Sequence, residues 1–414
     1  LVGSEMCIRD RYMKKYLYFI VFVTLWSCSA DKVNVKSEDN SFYSVDLRII
    51  EKTKGTVMSL GDLMESYEII RLDNRDEALI KTYPSSVYVT DNYILLQPDD
   101  VVSPVKLFTR KGRYVADIGG VGQGPGEYLY LFSWLVDEKE NRIYLGPGRA
   151  DKVLVYDLKG NYLPDEVIRF GEIVHKSQIW VDYDKKNVAV VTLPFSANVN
   201  SNFAINKNVC WVQNREGDIV HRIPVNHYGL IGDYSNGLVA CRNVDAISFS
   251  IFEDPMLRTR PDTLYHYDAV KNIITPRFTI DHVVSENQSA CTVLYETSRS
   301  YWAQVTLYPN NLSSCVSSVR LPAFNVCVSK KDGNVRRIDR FTDPLLGLSY
   351  LFLAMKNGYV CISYDPLELM DALDKVLTQT DLKPEIRKRA TGLRNSLHEN
   401  DNDILMIGKL KSNY

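Results

Sequence analysis

The segment GGVGQGPGEY, Gly119–Tyr128, is the part of the sequence that most resembles a phosphate-binding loop. A P-loop requires lysine after its last glycine, but Pro125 follows Gly124. A dinucleotide-binding turn that used Gly120 and Gly122 would need a third glycine where Pro125 stands. The next residues, LYLFSWLVDE, have the pattern of a strand, so no helix N-terminus is predicted to hold a phosphate. The glycines are therefore interpreted as a corner between two strands.

Two common hydrolase motifs are not found in the sequence. No pair of histidines has the helical H-x-x-x-H spacing of a zinc protease, and Gly347–Leu351 lacks the second glycine of a G-x-S-x-G nucleophile elbow. The histidines are His175, His221, His227, His266, His282 and His398. With no cofactor-binding motif in the chain, no cofactor is predicted.

The composition of the chain argues against nucleic-acid binding and against a cysteine zinc site. With 49 basic and 51 acidic residues, the chain has no excess of positive charge to hold a nucleic-acid backbone. The 26 tyrosines favour strands and aromatic surfaces. The cysteines after residue 28 form no C-x-x-C pair, so buried free thiols are predicted rather than a zinc site. They are Cys210, Cys241, Cys291, Cys315, Cys327 and Cys361.

The N-terminal residues are predicted to precede the folded domain. Residues 1–12 resemble translated sequencing-adapter sequence and are set aside. Residues 13–27 combine two lysines with a short apolar run, which is typical of a lipoprotein signal peptide. Cys28 is then the predicted lipidation site, and it would anchor the protein to the outer membrane, periplasmic or surface-exposed. An ordinary signal peptide with an incidental cysteine is the alternative. Residues 28–57 are predicted to be a tether.

One pattern recurs five times along the rest of the chain: an alternating apolar strand, a polar turn and a second strand. Such turns commonly need one residue with positive φ, which glycine and asparagine adopt most readily. The predicted turn residues are Gly112, Gly160, Gly217, Asn272 and Gly333. Three of these hairpins follow another predicted strand pair, within Ser85–Gln97, Ser133–Gly146 and Ile179–Leu193.

Four antiparallel strands per unit, repeated radially, indicate an all-β protein, a six-bladed β-propeller over residues 58–414. A sixth unit is predicted to draw on Leu348–Tyr364, and the ring to close through the terminal strands Tyr67–Leu72 and Ile404–Leu410. A small helical insertion, about residues 366–398, is predicted before the closing strand. The fourth and fifth units are less regular, and their inner strands are placed around Ile247–Phe252 and Val293–Val305, with Ser300–Pro322 irregular.

Several motifs together resemble the six-bladed β-propeller lipoproteins of Bacteroidetes. These are the run Ser59–Leu63, the GGVGQGPGEY corner, the glycine hairpins, Asp365–Glu368 and a terminal K-L-K. That group is similar to NHL-repeat proteins, whose units carry a glycine-rich segment between blades. The resemblance covers the chain from about residue 58, and it implies a propeller fold and an envelope location more than any activity.

The function favoured by these observations is a lipid-anchored, non-catalytic binding propeller. It would recognise a peptide, glycan or partner protein at the channel mouth, through rim loops and aromatic side chains. The predicted ligand-binding residues are Gln123, Glu127, Tyr128, Trp134, Trp180, Tyr301 and Trp302. The alternative is a metal-dependent hydrolase or lactonase with a cation in the central channel, held by Asp137, Asp182 and Glu296. A third interpretation is a scaffold in an outer-membrane complex, contacted through the helical insertion.

Overall fold

The computed structural model describes residues 42–80, 84–100, 102–182, 184, 186–195, 206–230, 236–254, 258, 260–309 and 321–411. The predicted signal peptide, the predicted lipidation site Cys28 and Cys315 lie outside these residues.

The chain enters the fold through a segment of short strands and single-turn helices. These are β1 (Tyr43–Asp46), α1 (Leu47–Ile50), β2 (Thr56–Ser59), α2 (Leu60–Leu63) and β3 (Glu68–Arg71). The side chains of Asp46 and Ser59 cap the two helices by accepting hydrogen bonds from backbone N–H groups two residues on. Part of this segment falls within residues 28–57, which the sequence assigned to a tether.

Three four-stranded antiparallel sheets follow, each made of consecutive strands. The first contains β4 (Pro84–Val89), β5 (Tyr93–Pro98), β6 (Val105–Thr109) and β7 (Tyr114–Ile118). A two-stranded parallel ribbon, β8 (Gly120–Val121) and β9 (Glu127–Tyr128), leads to the second sheet. The second contains β10 (Leu131–Asp137), β11 (Arg142–Pro147), β12 (Arg149–Tyr156) and β13 (Ile168–His175). The third contains β14 (Ser177–Asp182), β15 (Asn187–Thr192), β16 (Asn208–Gln213) and β17 (Ile219–Pro224).

The next two sheets are extended at their outer edges by the N-terminal segment. The fourth contains β18 (Gly237–Cys241), β19 (Ile247–Phe252), β20 (Asp262–Asp268) and β21 (Ile273–Asp281), and β1 pairs in parallel with β21. The fifth contains β22 (Val283–Ser285), β23 (Gln288–Glu296), β24 (Ser300–Pro309), β25 (Ala323–Ser329), β26 (Val335–Thr342) and β27 (Ser349–Tyr350). Here β2 pairs in parallel with β26. The N-terminal segment therefore covers backbone edges that would otherwise be unpaired.

The last sheet joins both ends of the described chain. It contains β28 (Ala354–Lys356), β29 (Tyr359–Tyr364) and β30 (Ile404–Lys409), with β3 as its outer strand. Two helices, α3 (Pro366–Leu377) and α4 (Pro384–Arg394), lie between β29 and β30. Asp365 caps α3 by accepting hydrogen bonds from the N–H groups of Leu367 and Glu368, with Pro366 at the first helical position.

These sheets form an all-β propeller with few helices. First strands of successive sheets contact one another, β4 with β10, β10 with β14 and β18 with β23, while β29 of the last sheet contacts β4. Counted by continuous stretches of chain, the propeller has five blades rather than the predicted six, because the remaining sheet is composite. The inner strand of the fourth sheet is β18, so the prediction that placed it around Ile247–Phe252 is wrong by one strand. Part of the segment predicted to be irregular forms the regular strand β24.

The turn residues occupy the backbone conformation that the sequence predicted. Gly112, Gly160, Gly217, Asn272 and Gly333 all have positive φ. The glycine-rich segment is a corner between the outer strand β7 of the first sheet and the inner strand β10 of the second. Five described cysteines are free thiols, three of them buried.

Replacing Gly112 by alanine tests the contact between the first sheet and the composite sheet. A Cβ there would clash with the carbonyl oxygen of Arg71 in β3, whereas a Cβ on Gly358, which has the same φ of 77°, would meet no atom within 4 Å. We expect Gly358→Ala to lower the free energy of unfolding by about 1–2 kcal/mol through backbone strain. Gly112→Ala should cost a further ~1–3 kcal/mol. Chemical denaturation measures both, and equal losses would contradict the contact.

Candidate functional site

A pocket lies where the inner strands of the sheets converge, and we call it the axial pocket. Its volume is about 290 Å³. It is lined by Ser86, Phe132, Ser133, Trp134, Gln178, Leu238, Val239, Ala240, Arg242, Val293, Tyr295, Gln304, Leu353, Ala354, Met355 and Lys356. These residues come from β4, β10, β14, β18, β23, β24 and β28 or directly adjoin them, so every blade and the composite sheet contribute to the pocket.

Lys356 brings a positive charge to this pocket from the end of β28. Its Nζ lies 4.6 Å from the centre of the Trp134 ring and 3.3 Å from the hydroxyl oxygen of Ser86. Burial and the positive charge of Arg242 lower the pKa of Lys356 to about 8. The lysine is therefore mostly charged at neutral pH and loses its proton under mildly alkaline conditions.

Arg242 brings a second positive charge, from the residue after β18. Its guanidinium stacks on Trp180 with 4.3 Å between the guanidinium carbon and the ring centre, and it donates a hydrogen bond to the carbonyl oxygen of Ile179. Burial lowers the pKa of Arg242 from its usual value. The group stays charged because the free guanidinium is so basic.

Two amide side chains, one of them in the pocket lining, tie the walls of the pocket together. Asn243 donates to the carbonyl oxygen of Met355 at 3.0 Å and accepts from the N–H of Gly358 at 2.8 Å, which ties the fourth sheet to the composite sheet. Gln304 donates to the carbonyl oxygen of Leu353 at 2.8 Å. These bonds tie the backbone at and beside β28 to the fourth and fifth sheets.

Two predicted aromatic residues lie at or near the pocket. Trp134 lines it directly from β10. Trp180 lies beneath Arg242 and lines a second cavity of about 340 Å³ between the third and fourth sheets, together with Asp182 and His221. Trp180 therefore positions a cation beside the axial pocket rather than facing that pocket itself.

The other two predicted aromatic residues are packed in the core. Tyr301 stacks on Phe278 with 5.4 Å between ring centres, and Lys330 lies over its ring. Trp302 is fully buried and donates to the hydroxyl of Thr297 at 3.3 Å. Both belong to β24, and neither lines the axial pocket, although Gln304 of the same strand does.

The corner residues hold the glycine segment together. The Glu127 carboxylate accepts a hydrogen bond from the N–H of Gly124 at 2.7 Å, and the buried Tyr128 hydroxyl accepts from the N–H of Val105 at 2.9 Å. The Tyr128 hydroxyl also donates to the carbonyl oxygen of Ile118 at 3.2 Å. Gln123 is exposed. None of the three lines the axial pocket, and Tyr128 ties the corner to the first sheet.

The acidic residues proposed as metal ligands do not come together. Glu296 is buried, where it accepts from Ser248 at 2.8 Å, contacts the Nε2 of His266 at 2.7 Å and pairs with Lys330. Burial alone would raise the pKa of Glu296, but these partners outweigh it and hold the pKa below its usual range. Asp137 and Asp182 lie at the ends of β10 and β14. Within the described part of the chain, no three His, Cys, Asp or Glu side chains are close enough to hold a metal ion.

Sequence reasoning missed Lys356, Arg242 and Gln178. Lys356 and Arg242 stand next to asparagines in turn-like stretches, KNG and RNV, and such charges are ordinarily read as solvated. Gln178 is one residue inside a strand whose pattern gives no sign of a polar inner face. The sequence feature that could have identified them is their place in the strand order, because each lies in or directly after the first strand of its sheet.

The ring of sheets around the axial pocket defines the chain as an all-β β-propeller. The chain belongs to the DUF4934 family, described as a domain of unknown function, which it matches over residues 42–409. No curated protein matches it in sequence.

Two of the solved structures to which this chain is similar come from Bacteroides. A Bacteroides fragilis protein described as exported has a TM-score of 0.55 at 16% identity, covering 89% of this chain and 99% of that one. A DUF4221 family member from Bacteroides vulgatus has a TM-score of 0.45 at 10% identity, covering 84% and 98%. The predicted resemblance to Bacteroides propellers is confirmed for the fold, and the similarity to NHL-repeat proteins stays a prediction. In the described residues, no helix has the length and apolar character needed to cross a membrane.

The role of Tyr128 as a packing residue can be tested by removing its hydroxyl. Tyr128→Phe leaves the buried N–H of Val105 without its partner, so we expect the free energy of unfolding to fall by about 1–3 kcal/mol. Tyr162→Phe is the matched control, since Tyr162 contacts the same corner and its hydroxyl has no hydrogen-bond partner among the described residues. Denaturant titration of both variants gives the comparison, and a smaller loss for Tyr128→Phe than for Tyr162→Phe would refute the role.

Proposed function

We propose that this protein is a non-catalytic binding propeller whose site is the axial pocket. It recognises a small ligand, or the end of a glycan or peptide chain, that enters along the propeller axis. The function of the ring is to hold side chains from separate sheets in fixed positions around one ligand.

The observation that carries this proposal is the side-chain set of the pocket. Gln178 is nine-tenths buried in the pocket wall, and its amide, which bonds to no other described residue, is open to the pocket. Water in the pocket can satisfy this amide, so a ligand that displaces the water has to offer hydrogen bonds in its place. Trp134 adds an aromatic wall, and the bonds of Asn243 and Gln304 make that arrangement rigid.

The composite sheet acts, in this proposal, as the sixth blade. It has four strands like the first three sheets, and its inner strand β28 faces the axial pocket like the inner strands of the other sheets. Pairing of β3 with β30 then closes the ring with one strand from the N-terminal segment, the arrangement that holds a propeller shut.

The binding function is placed at the cell envelope, anchored through lipid on Cys28. Support comes from the sequence, in which the apolar run and Leu25 precede the cysteine in the order of a lipoprotein signal. Partners at this location would be envelope glycans, peptides or outer-membrane proteins.

The anchor predicts a change in location for Cys28→Ser. In cell fractionation we expect the unsubstituted protein in the membrane fraction and the variant in the soluble fraction, because the acyl chains supply the membrane affinity. Cys361→Ser, at a half-buried cysteine of β29, controls for loss of a thiol. Retention of Cys28→Ser in the membrane fraction would contradict the anchor.

Filling the axial pocket tests the binding site. Ala354 lines the pocket from β28 and is itself exposed to it, so Ala354→Trp should occupy the ligand's space without disturbing the buried core. Val102→Trp, at a 76% exposed position outside the pocket, is the control.

The probes for this test are neutral and acidic mono- and disaccharides and short peptides. We expect at least one probe to raise the melting temperature of the unsubstituted protein and of Val102→Trp, but not of Ala354→Trp. A rise that persists in Ala354→Trp, or no rise with any probe, would count against the proposed site.

A further inference from the structure

The two cations of the axial pocket are held by neutral groups. Lys356 contacts a hydroxyl and an indole ring, and Arg242 contacts a carbonyl oxygen and an indole ring. Among the described residues that line the pocket, none is acidic. Positive charge is therefore concentrated here without a countercharge from the described pocket residues.

Two other largely buried cations in the described part of the chain have carboxylate partners. Lys330 pairs with Glu296, and Arg258 lies 3.1 Å from Asp262, with both side chains almost fully buried. An ionised group taken from water without a partner is costly, and an opposite charge compensates for part of that cost. The axial pocket lacks this compensation, and an anionic ligand would supply it.

The volume and the polar groups narrow the class of anion. At about 290 Å³ the pocket is at the small end of ligand sites, which span roughly 300–1,000 Å³, so it admits one ring rather than an extended chain. The amide of Gln178 offers both a donor and an acceptor beside the cations. An acidic side chain would bring only its carboxylate, whereas a sugar acid also brings hydroxyl groups for this amide.

We propose that the axial pocket binds one sugar-acid ring, with its carboxylate facing Lys356 and Arg242 and its hydroxyls bonded to Gln178. Trp134 supplies an apolar wall beside the ring. This inference rests on the proposed binding function and specifies its ligand class.

The pocket should also make binding depend on pH through a single group. Burial lowers the pKa of Lys356 to about 8, while it raises the pKa values of Tyr88, to about 12, and of Tyr295. Arg242 stays protonated. Between pH 7 and 9.5 the lysine alone among these groups changes charge, so affinity for a carboxylate should fall as the pH rises.

Glucuronate and glucose are the matched probes, because they differ only in a carboxylate or hydroxymethyl group at one carbon. In calorimetric titrations at pH 7 we expect glucuronate to bind at least about tenfold more tightly than glucose, the effect of one charge-assisted hydrogen bond. Its affinity should decrease toward pH 9.5, and Ala354→Trp should abolish binding.

Two substitutions at Lys356 separate charge from shape. Lys356→Met keeps the length of the side chain and removes the charge, so glucuronate affinity should fall about tenfold or more while melting temperature without ligand does not fall. Lys356→Arg keeps the charge, so it should retain binding and lose the decrease between pH 7 and 9.5. Unchanged glucuronate affinity in Lys356→Met would overturn the proposal.

The remaining outcomes are distinguishable from failure of the proposed function. Equal binding of glucose and glucuronate, or equal binding of inorganic phosphate, overturns the sugar-acid assignment and leaves a binding pocket. Tighter binding of N-acetylglutamate than of glucuronate assigns the pocket to acidic peptides instead. If glucuronate does not bind but a neutral probe does, and Ala354→Trp abolishes binding of that probe, only the sugar-acid inference fails. Absence of binding by every probe defeats both.

Discussion

The rest of the structure depends on the antiparallel pairing of β3 with β30. Residues 68–71 lie opposite residues 404–407, and Leu405 and Ile407 are completely buried. Beyond the strands, the Asn402 amide donates to the carbonyl oxygens of Asp73 and Ala78, both at 2.9 Å. This pairing joins the two ends of the described chain in the composite sheet, and β28 at the other edge of that sheet carries Lys356 to the axial pocket. Loss of the pairing would therefore leave the outer edge of β30 unpaired and, in the proposed closed ring, break the link between the chain ends.

The sequence predicted those parts of the fold that are encoded locally. Alternating strands and residues with positive φ, such as Gly160 and Asn272, lie within a few positions of each other, so their pattern identifies the hairpins. It did not reveal that β1 and β2 pair in parallel with strands more than 200 residues later, at Phe278 and Arg340. Parallel addition to an outer edge needs only a short extended segment, which carries no distinctive pattern.

The candidate site shows the same limit at the level of side chains. Trp134 could be predicted because it lies in a first strand, but Trp302 has the same residue type and lies in a second strand, where it is fully buried. Residue type favours an aromatic surface in both cases, and the position of each residue in its folded sheet decides between pocket and core, since Gln304 of β24 does line the pocket. For Lys356 and Arg242, the local sequence predicts exposed side chains in turns. The structure instead places both in the axial pocket, where separate sheets converge.

Uncompensated charge at the axis is consistent with the way the rest of the molecule is built. The core between the sheets is apolar and contains many large side chains, including Tyr144 and Phe249. Burial of these side chains provides the main favourable free energy of folding. Where a charge is buried there, as at Glu296, it is surrounded by partners. At the axial pocket, by contrast, Lys356 and Arg242 have no carboxylate partner among the lining residues. The cost of burying their charge can therefore be reduced by an anionic ligand in the pocket. The relief on binding then adds to affinity, because the walls need no further ordering.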